Sequence, residues 1–210
     1  MAALPGFRHL TGYFDASEQR ALLAELRAVI QAAPLFVPRM PRSGKAFSVR
    51  MSNCGALGWV SDKDGGYRYQ ATHPETGRPW PAMPQRLLDL WDEVAEFSRH
   101  PEACLINYYS DGARMGSHRD ADEADFTAPV VSVSLGDDAI FHVGGTARAD
   151  AKQRVVLKSG DVVVLGGPAR LAYHGIDRTL PGTSSLLAEG GRFNLTLRRV
   201  GLAQDAPPDR

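Results

Sequence analysis

The sequence predicts one α+β domain, mainly β, in which packing helices cover an antiparallel β-sandwich of the jelly-roll type. The chain has 210 residues, a length typical of a single domain with its own core. Its first half carries two amphipathic helical patterns, and from residue 103 onward it consists of short β-branched runs bounded by Gly or Asp. Strands at this density, with no helices between them, favour a sandwich or barrel.

The helices and the segment between them form the first half of the predicted domain. One helix is predicted over residues 15–32, where Asp15 and Glu18 make a capping box, and the other over Gln85–Phe97. Their apolar faces are predicted to pack on a core. These faces consist of Leu22, Leu23, Leu26, Val29 and Ile30 in the first helix and of Leu87, Leu88, Trp91 and Val94 in the second.

Residues 33–80, rich in Gly, Arg and aromatic residues, are predicted to form a lid over the sandwich. The jelly-roll core is predicted over residues 103–200, and residues 203–210 are expected to fray. The predicted strands are ACLINYY, PVVSVSLG, AIFHV, RVVLK, DVVVLGG, RLAYHG and RFNLTLRRV.

The composition excludes several classes of protein. Lys and Arg number 24, as do Asp and Glu, so any contact with nucleic acid must come from a local patch. One such patch is predicted between Glu25 and Asp62, where five basic residues and no acidic ones occur; the alternative is a solvated basic loop. Two cysteines are too few for a disulfide framework, and no stretch approaches about 18 apolar residues. We expect a cytoplasmic monomer with no membrane partner.

A metal site is predicted at Ser117-His118-Arg119-Asp120. In an extended segment His118 and Asp120 point to the same side, and a further histidine would complete a two-histidine, one-carboxylate face. His174, at the end of RLAYHG, is the candidate third ligand. The alternatives are a charged surface loop for the first pair and a histidine bonded to a backbone carbonyl for the third.

The run RFNLTLRRV provides the strongest functional signal. Its alternation places Phe193, Leu195 and Leu197 on one face and polar residues on the other. The polar face has two explanations, an exposed sheet surface or an interior that grips a dicarboxylate through guanidinium groups. The polar set consists of Arg192, Asn194, Thr196 and Arg198, with Asn107 and Tyr109 alternating on LINYY.

The elements NYYSDG, SHRDADEAD, YHGI and RFNLTLR, in this order, resemble the AlkB family of iron- and 2-oxoglutarate-dependent nucleic-acid demethylases. MSNCGALGWVSDKDGGYRY and GRPWPAMP are also similar to the bacterial members, so the resemblance spans about Ser48 to Arg199. It implies a double-stranded β-helix (jelly roll) with a nucleotide-recognition lid. It also implies that Fe(II) is held by His118, Asp120 and His174, with 2-oxoglutarate and dioxygen as cosubstrates.

The resemblance assigns roles to further residues. Arg198 is expected to pair with the distal carboxylate of 2-oxoglutarate, helped by Asn107 and Tyr109. Arg192, with Asn194 beside it, is expected near the proximal carboxylate and the aspartate ligand. Around the flipped nucleotide, the resemblance implies Asp122 as the base-contacting acid and places Trp59, Tyr67, Tyr69 and Arg148 nearby.

Three functions are therefore compared. The first is DNA repair by oxidative demethylation of 1-methyladenine and 3-methylcytosine, with single-stranded DNA as partner and double-stranded DNA and RNA as further candidates. The second is hydroxylation of a small molecule or protein side chain, which predicts activity that survives loss of Trp59 and no binding to single-stranded DNA. The third, a non-catalytic metal-binding β-sandwich, leaves Arg192 and Arg198 beside a complete triad unexplained. Release of succinate and formaldehyde from a 1-methyladenine oligonucleotide separates the three.

Overall fold

The structure, a computed structural model, describes residues 4–201 and confirms the predicted jelly roll. The described residues form two main antiparallel sheets, a separate hairpin and two α-helices, and the predicted fraying tail lies outside this range. In chain order the elements are β1 (Phe7–Leu10), α1 (Ala16–Ala32), β2 (Arg50–Gly55), β3 (Gly58–Asp62), β4 (Gly66–Gln70), α2 (Gln85–Val94), β5 (Ala103–Tyr109), β6 (Met115–His118), β7 (Val130–Gly136), β8 (Asp138–Val143), β9 (Gln153–Leu157), β10 (Val162–Leu165), β11 (His174–Leu180) and β12 (Arg192–Arg198).

The larger sheet has six strands in the order β1-β10-β7-β12-β5-β2, and the smaller has four in the order β6-β11-β8-β9. Strands β3 and β4 pair only with each other, as a hairpin. Every pair is antiparallel, as the short strands and tight turns predict. The two sheets face each other across a core that includes Leu105, Val130, Phe141, Leu157 and Ile176.

The two helices cover the other face of the six-stranded sheet. Helix α1 begins as predicted, because the Asp15 carboxylate accepts hydrogen bonds from the amides of Ser17 and Glu18 while the Glu18 carboxylate accepts one from the Asp15 amide. Helix α2 ends three residues before the predicted Phe97, because Glu96 takes a left-handed conformation (φ 52°). The helix core buries the predicted apolar face of β12, Phe193, Leu195 and Leu197, and in α2 it takes Leu90 in place of Leu88.

Part of residues 33–80, the range predicted to form a lid, belongs to the six-stranded sheet. Strand β2 lies inside that range, but it is an edge strand of the six-stranded sheet and pairs with β5. The polar sequence of β2 gave no sign of a buried strand, although Ser52 and Asn53 are fully buried. The Ser52 hydroxyl donates to the Ala33 carbonyl, and the Asn53 side chain bonds both backbone groups of Trp59. Within residues 33–80, the parts outside the two main sheets therefore include the β3–β4 hairpin and the loop that precedes β2.

Two further details differ from the predictions. His174 opens β11 instead of ending a strand, because the residues before it follow a 3-10 turn at Gly167–Ala169. Strand β6 was missed because its sequence, MGSH, shows no alternation of apolar and polar residues. Among residues 4–201 no helix is long and apolar enough to cross a membrane.

Candidate active site

Three side chains that the sequence predicted as metal ligands meet at one end of the jelly roll. His118 ends β6 and His174 opens β11, and the two residues are direct partners across the strand pair. Asp120 lies two residues after His118, with its carboxylate oxygens 3.8 Å from the His118 Nε2 and 4.0 Å from the His174 Nε2. The three potential ligand atoms lie within 4.8 Å of one another. This spacing fits one divalent ion bound on a single face, with the opposite positions open to substrates.

Backbone carbonyls orient both imidazoles. The Nδ1 atom of His118 lies 2.9 Å from the Gly116 carbonyl oxygen, and the Nδ1 atom of His174 lies 2.9 Å from that of Ala172. An Nδ1–H that donates to each carbonyl leaves the Nε2 lone pair free for a metal. These two contacts therefore favour the tautomer that metal binding requires.

The electrostatics hold the ligands in their binding forms. Burial opposes ionisation of Asp120, but Arg198, His174 and His118 outweigh it and hold the pKa of this carboxyl well below its usual range. Burial and the neighbouring His118 lower the pKa of His174 from 6.5 to about 4. At neutral pH the site thus presents one carboxylate and one neutral buried imidazole, so a cation displaces no proton from them.

The depressed pKa of His174 predicts acid sensitivity of the metal-free protein. Between pH 6.5 and about 4 the unfolded chain binds a proton at His174 that the folded chain resists, so stability falls as the pH falls through this window. At pH 4.5 the loss is on the order of 2 kcal/mol. Urea unfolding at pH 7 and pH 4.5 measures it, and His174→Gln should remove that part of the loss. An equal loss in the variant would contradict the assignment.

The two arginines of β12 do not make the contacts within the chain that the resemblance implied. Arg198, expected at the distal carboxylate of 2-oxoglutarate, instead donates from Nε and Nη2 to both oxygens of Asp120, at 3.2 and 3.0 Å. Arg192, expected beside Asp120, bonds only the Ser134 hydroxyl, at 2.8 Å, and its Nε and Nη1 have no partner among residues 4–201. Burial lowers the pKa of Arg192, which is fully buried 5.5 Å from the centre of the Tyr109 ring. An unpaired buried guanidinium is a site for a carboxylate.

A cavity of about 240 Å³ joins the arginines to the ligand triad. Asn107, Tyr109 and Asn194, which were predicted to bind the cosubstrate, line this cavity. The Asn107 Oδ1 is buried without a partner among the described residues, whereas the Asn194 amide donates to the Ser132 hydroxyl. Burial raises the pKa of Tyr109 to about 12, so its phenol is a hydrogen-bond donor at neutral pH. The polar face of β12 is thus an interior that suits a small dicarboxylate.

The mouth of the cavity contains only some of the predicted substrate residues. Trp59, Tyr67 and Asp122 line it. The rings of Trp59 and Tyr67 stack at 5.5 Å with 23° between their planes, and the Trp59 Nε1 donates to the Asp122 carboxylate at 2.8 Å. Tyr69 and Arg148 do not line the cavity: Tyr69 donates to Glu123 in the interior, and Arg148 lies 5.6 Å from the centre of the Tyr173 ring.

Comparisons with known proteins agree with this geometry. Residues 6–198 match the model of the 2OG-Fe(II) oxygenase superfamily. The chain belongs to this superfamily. It is 53% identical to the alpha-ketoglutarate-dependent dioxygenase AlkB homolog of Caulobacter vibrioides (97% of this chain, 91% of the relative) and 44% identical to the alpha-ketoglutarate-dependent dioxygenase AlkB of Escherichia coli (90% and 87%). The solved structure of OsALKBH1 superposes with a TM-score of 0.81 at 27% identity, covering 95% of this chain and 99% of that one.

The oxygenase therefore uses Fe(II) and 2-oxoglutarate, and its residues fit both. In this chain the iron of the superfamily would be bound by the triad of His118, Asp120 and His174. The orphaned nitrogens of Arg192, beside Tyr109 and the orphaned oxygen of Asn107, provide the polar lining that a dicarboxylate cosubstrate needs. The dioxygenase chemistry indicated by the sequence is confirmed, and a non-catalytic sandwich is excluded.

Three residues at this site escaped the sequence predictions. Glu123 and Arg170 form a buried ion pair at 3.1 Å beside Asp120, and Arg119 lines the cavity mouth with its guanidinium 5.8 Å from the centre of the Tyr173 ring. Arg119 lies between His118 and Asp120 in the sequence, and this position next to two predicted metal ligands was the signal that could have identified it. Glu123 sits in the acidic run DADEAD, where no pattern marks it as the buried member.

Proposed function

We propose that this oxygenase removes methyl groups from the ring nitrogens of nucleic-acid bases, with single-stranded DNA as first substrate and double-stranded DNA and RNA as further candidates. The carrying observation is an aromatic pair joined to a carboxylate at the mouth of the iron cavity, Trp59 and Tyr67 with Asp122. Bases such as 1-methyladenine and 3-methylcytosine are flat, cationic and carry an exocyclic amino group. The mouth offers a partner for each of these three properties.

Asp122 serves the ring and the amino group together. Its Oδ2 accepts the Trp59 indole N–H, which fixes the orientation of that ring. The second oxygen remains able to accept a hydrogen bond from an exocyclic amine, and the carboxylate favours the positive charge of the base. Stacking on an aromatic face contributes about 1–3 kcal/mol per base, and the ring quadrupole attracts a cation.

The surface beside the mouth suits a sugar-phosphate backbone. The guanidinium groups of Arg119 and Arg148 both lie against Tyr173, and neither has a carboxylate partner among the described residues. The loop before β2 packs on β3 through hydrogen bonds between Arg39 and Ser61. It carries the exposed basic residues Arg39, Arg42 and Lys45, and the exposed Arg50 follows as the first residue of β2. Such contacts bind phosphates irrespective of sequence.

The side chains of the site have separate tasks in the reaction. His118, Asp120 and His174 would hold the iron, while Arg192 and Tyr109 would hold the distal carboxylate of 2-oxoglutarate. Iron with 2-oxoglutarate and dioxygen supplies the oxidation, in which 2-oxoglutarate becomes succinate and carbon dioxide while a C–H bond is hydroxylated. Trp59 and Asp122 orient the base so that its methyl group enters the cavity. The hydroxymethyl group then leaves as formaldehyde, which restores the base.

A base can reach this cavity only outside the stack. The methyl group of 1-methyladenine lies on the pairing edge, which is hidden in a duplex, so the nucleotide must be flipped. Methylation there also blocks normal pairing, which lowers the cost of flipping and makes single strands the least demanding substrate.

The direct test is turnover of an oligonucleotide with one 1-methyladenine. We expect succinate and formaldehyde in equal amounts, dependent on iron and 2-oxoglutarate, and no formaldehyde from the unmethylated oligonucleotide. Succinate without formaldehyde, and no affinity for single-stranded DNA, would favour hydroxylation of a small molecule or protein side chain instead.

Asp122→Asn provides a sharper test of base recognition, because Asn keeps an acceptor for the Trp59 N–H but loses the charge. The catalytic efficiency on 1-methyladenine should fall about tenfold or more, as expected for a charge-assisted contact worth about 1.5–3 kcal/mol. The efficiency on the neutral lesion 3-methylthymine should fall much less. Asp64→Asn, which removes an exposed charge from the turn of the hairpin that carries Trp59, is the matched control. Equal losses on both lesions would remove Asp122 from the base site.

A further inference from the structure

The β3–β4 hairpin is fixed to the loop that follows β6 at two points. At the cavity mouth the Trp59 indole donates to Asp122, and deeper inside the Tyr69 hydroxyl donates to Glu123. Trp59 and Tyr69 are direct partners across the hairpin, so their side chains leave the same face. The two acceptors are neighbours in a loop that also carries the metal ligand Asp120. The hairpin therefore docks on the segment that supplies the iron site.

The inner contact, from the Tyr69 hydroxyl to Glu123, anchors the hairpin and belongs to a buried group of charged side chains. The Glu123 side chain is 1% exposed, with one oxygen 3.1 Å from the Arg170 Nη2 and the other 3.6 Å from the Arg198 Nε. Arg198 also grips both oxygens of Asp120. The charges of two carboxylates and two guanidinium groups thus compensate one another in the interior. The hairpin adds the Tyr69 hydroxyl to this group. Buried ion pairs of this kind require every donor and acceptor to be met.

Arg170 extends the same group to the backbone. Its Nη1 donates to the carbonyl of Asp120 and its Nε to that of Ala128, each at 2.8 Å. The loop between β6 and β7 is therefore held at both ends by the residue that pairs with Glu123. A displacement of Glu123 would therefore move Arg170, which bonds the Asp120 carbonyl, and Arg198, which bonds the Asp120 carboxylate.

We propose that Tyr69 and Glu123 are positioning residues that tie the placement of Trp59 to the iron ligand Asp120. The resemblance placed Tyr69 around the flipped nucleotide, but it lies outside the cavity lining and its hydroxyl is committed to Glu123. Tyr69 instead sets how far the aromatic pair stands from the metal ligands, and so how deeply a methyl group enters. The part concerning substrate rests on the proposed function, whereas the coupling of the hairpin to Asp120 stands on these contacts alone.

The first measurement uses the protein without substrate. Trp80 and Trp91 are 6% and 0% exposed, so acrylamide quenching of tryptophan fluorescence reports mainly on the half-buried Trp59. Tyr69→Phe removes only the hydroxyl, and we expect quenching to increase because the hairpin loses its inner anchor. Tyr13→Phe is the matched control, since the Tyr13 hydroxyl also donates to a glutamate, Glu93, but on the helix side of the large sheet. The control should quench like the unaltered protein.

The second measurement is the yield of formaldehyde per succinate on a methylated oligonucleotide. A misplaced methyl group should lower this yield in Tyr69→Phe by about tenfold, given the steep dependence of such reactions on placement, while the KM for 2-oxoglutarate stays unchanged. In a Glu123→Ala background Tyr69→Phe should cause little further loss, because the alanine has already removed the acceptor of the Tyr69 hydroxyl.

Several results would overturn the coupling. Unchanged quenching and yield in Tyr69→Phe would do so, as would additive losses in the double variant or a rise in the KM for 2-oxoglutarate that matches the fall in yield. Failure of the proposed function gives a different result, since the unaltered protein would then release no formaldehyde while the quenching comparison would still report the anchor.

Discussion

His118→Ala is expected to lower 2-oxoglutarate turnover by more than about a hundredfold, because changes merely next to a metal ligand already cost about 10–100-fold. Two remaining ligands, Asp120 and His174, would hold the iron weakly. The fold should survive, since the His118 side chain is 39% exposed and carries no core contact of the kind that Asp120 makes with Arg198. Succinate formation with saturating iron measures the loss, and a thermal melt verifies the fold.

His100→Ala is the control for this substitution. His100 also lies beside an aspartate, Asp92, at 2.9 Å, but both are exposed and remote from the cavity. Turnover should remain at the level of the unaltered protein. Near-normal turnover in His118→Ala, or an equal loss in His100→Ala, would contradict the triad.

Arg192→Lys is expected to raise the KM for 2-oxoglutarate by about tenfold or more, because losing a hydrogen bond to a charged group costs about 1.5–3 kcal/mol. Lysine keeps the charge but lacks the planar set of donors, of which Nε and Nη1 have no protein partner in the described part of the chain. Arg198→Lys should act differently. It disturbs the grip on Asp120, so it should weaken metal binding more than the affinity for 2-oxoglutarate.

Steady-state titrations of 2-oxoglutarate and of Fe(II) distinguish the two arginines. A larger rise in the KM for 2-oxoglutarate in Arg198→Lys than in Arg192→Lys would restore the arrangement implied by the family resemblance. It would mean that the two side chains exchange partners when the cosubstrate binds.

The sequence predicted those parts of the site that depend on which face of a strand a residue occupies. Alternation in RFNLTLRRV placed both arginines inside, and the two-residue step from His118 to Asp120 placed two ligands together. Alternation gives a face but not a depth along the strand. That is why the order of Arg192 and Arg198 rested on the resemblance alone, whereas the structure shows that Arg198, and not Arg192, contacts Asp120.

The remainder depended on contacts that have no local signature. Strand β2 is polar because Ser52 and Asn53 satisfy backbone groups of other segments, so its sequence indicates a loop. Glu123 and Arg170 are 47 residues apart and become a pair only when the jelly roll closes. Buried polar residues whose partners are distant in sequence are thus the part of this fold that composition and periodicity do not reveal.

Strand β12 lies in the middle of the six-stranded sheet, between β7 and β5, although it is the last strand in the described chain. During synthesis, β5 and β7 each keep one edge unpaired until residues 192–198 have been made. Such edges are templates for aggregation, and long-range pairings of this kind slow folding. The same seven residues bring Arg192 and Arg198. A growing chain therefore gains its final sheet and its cosubstrate cradle in one step, and a chain interrupted before β12 has neither.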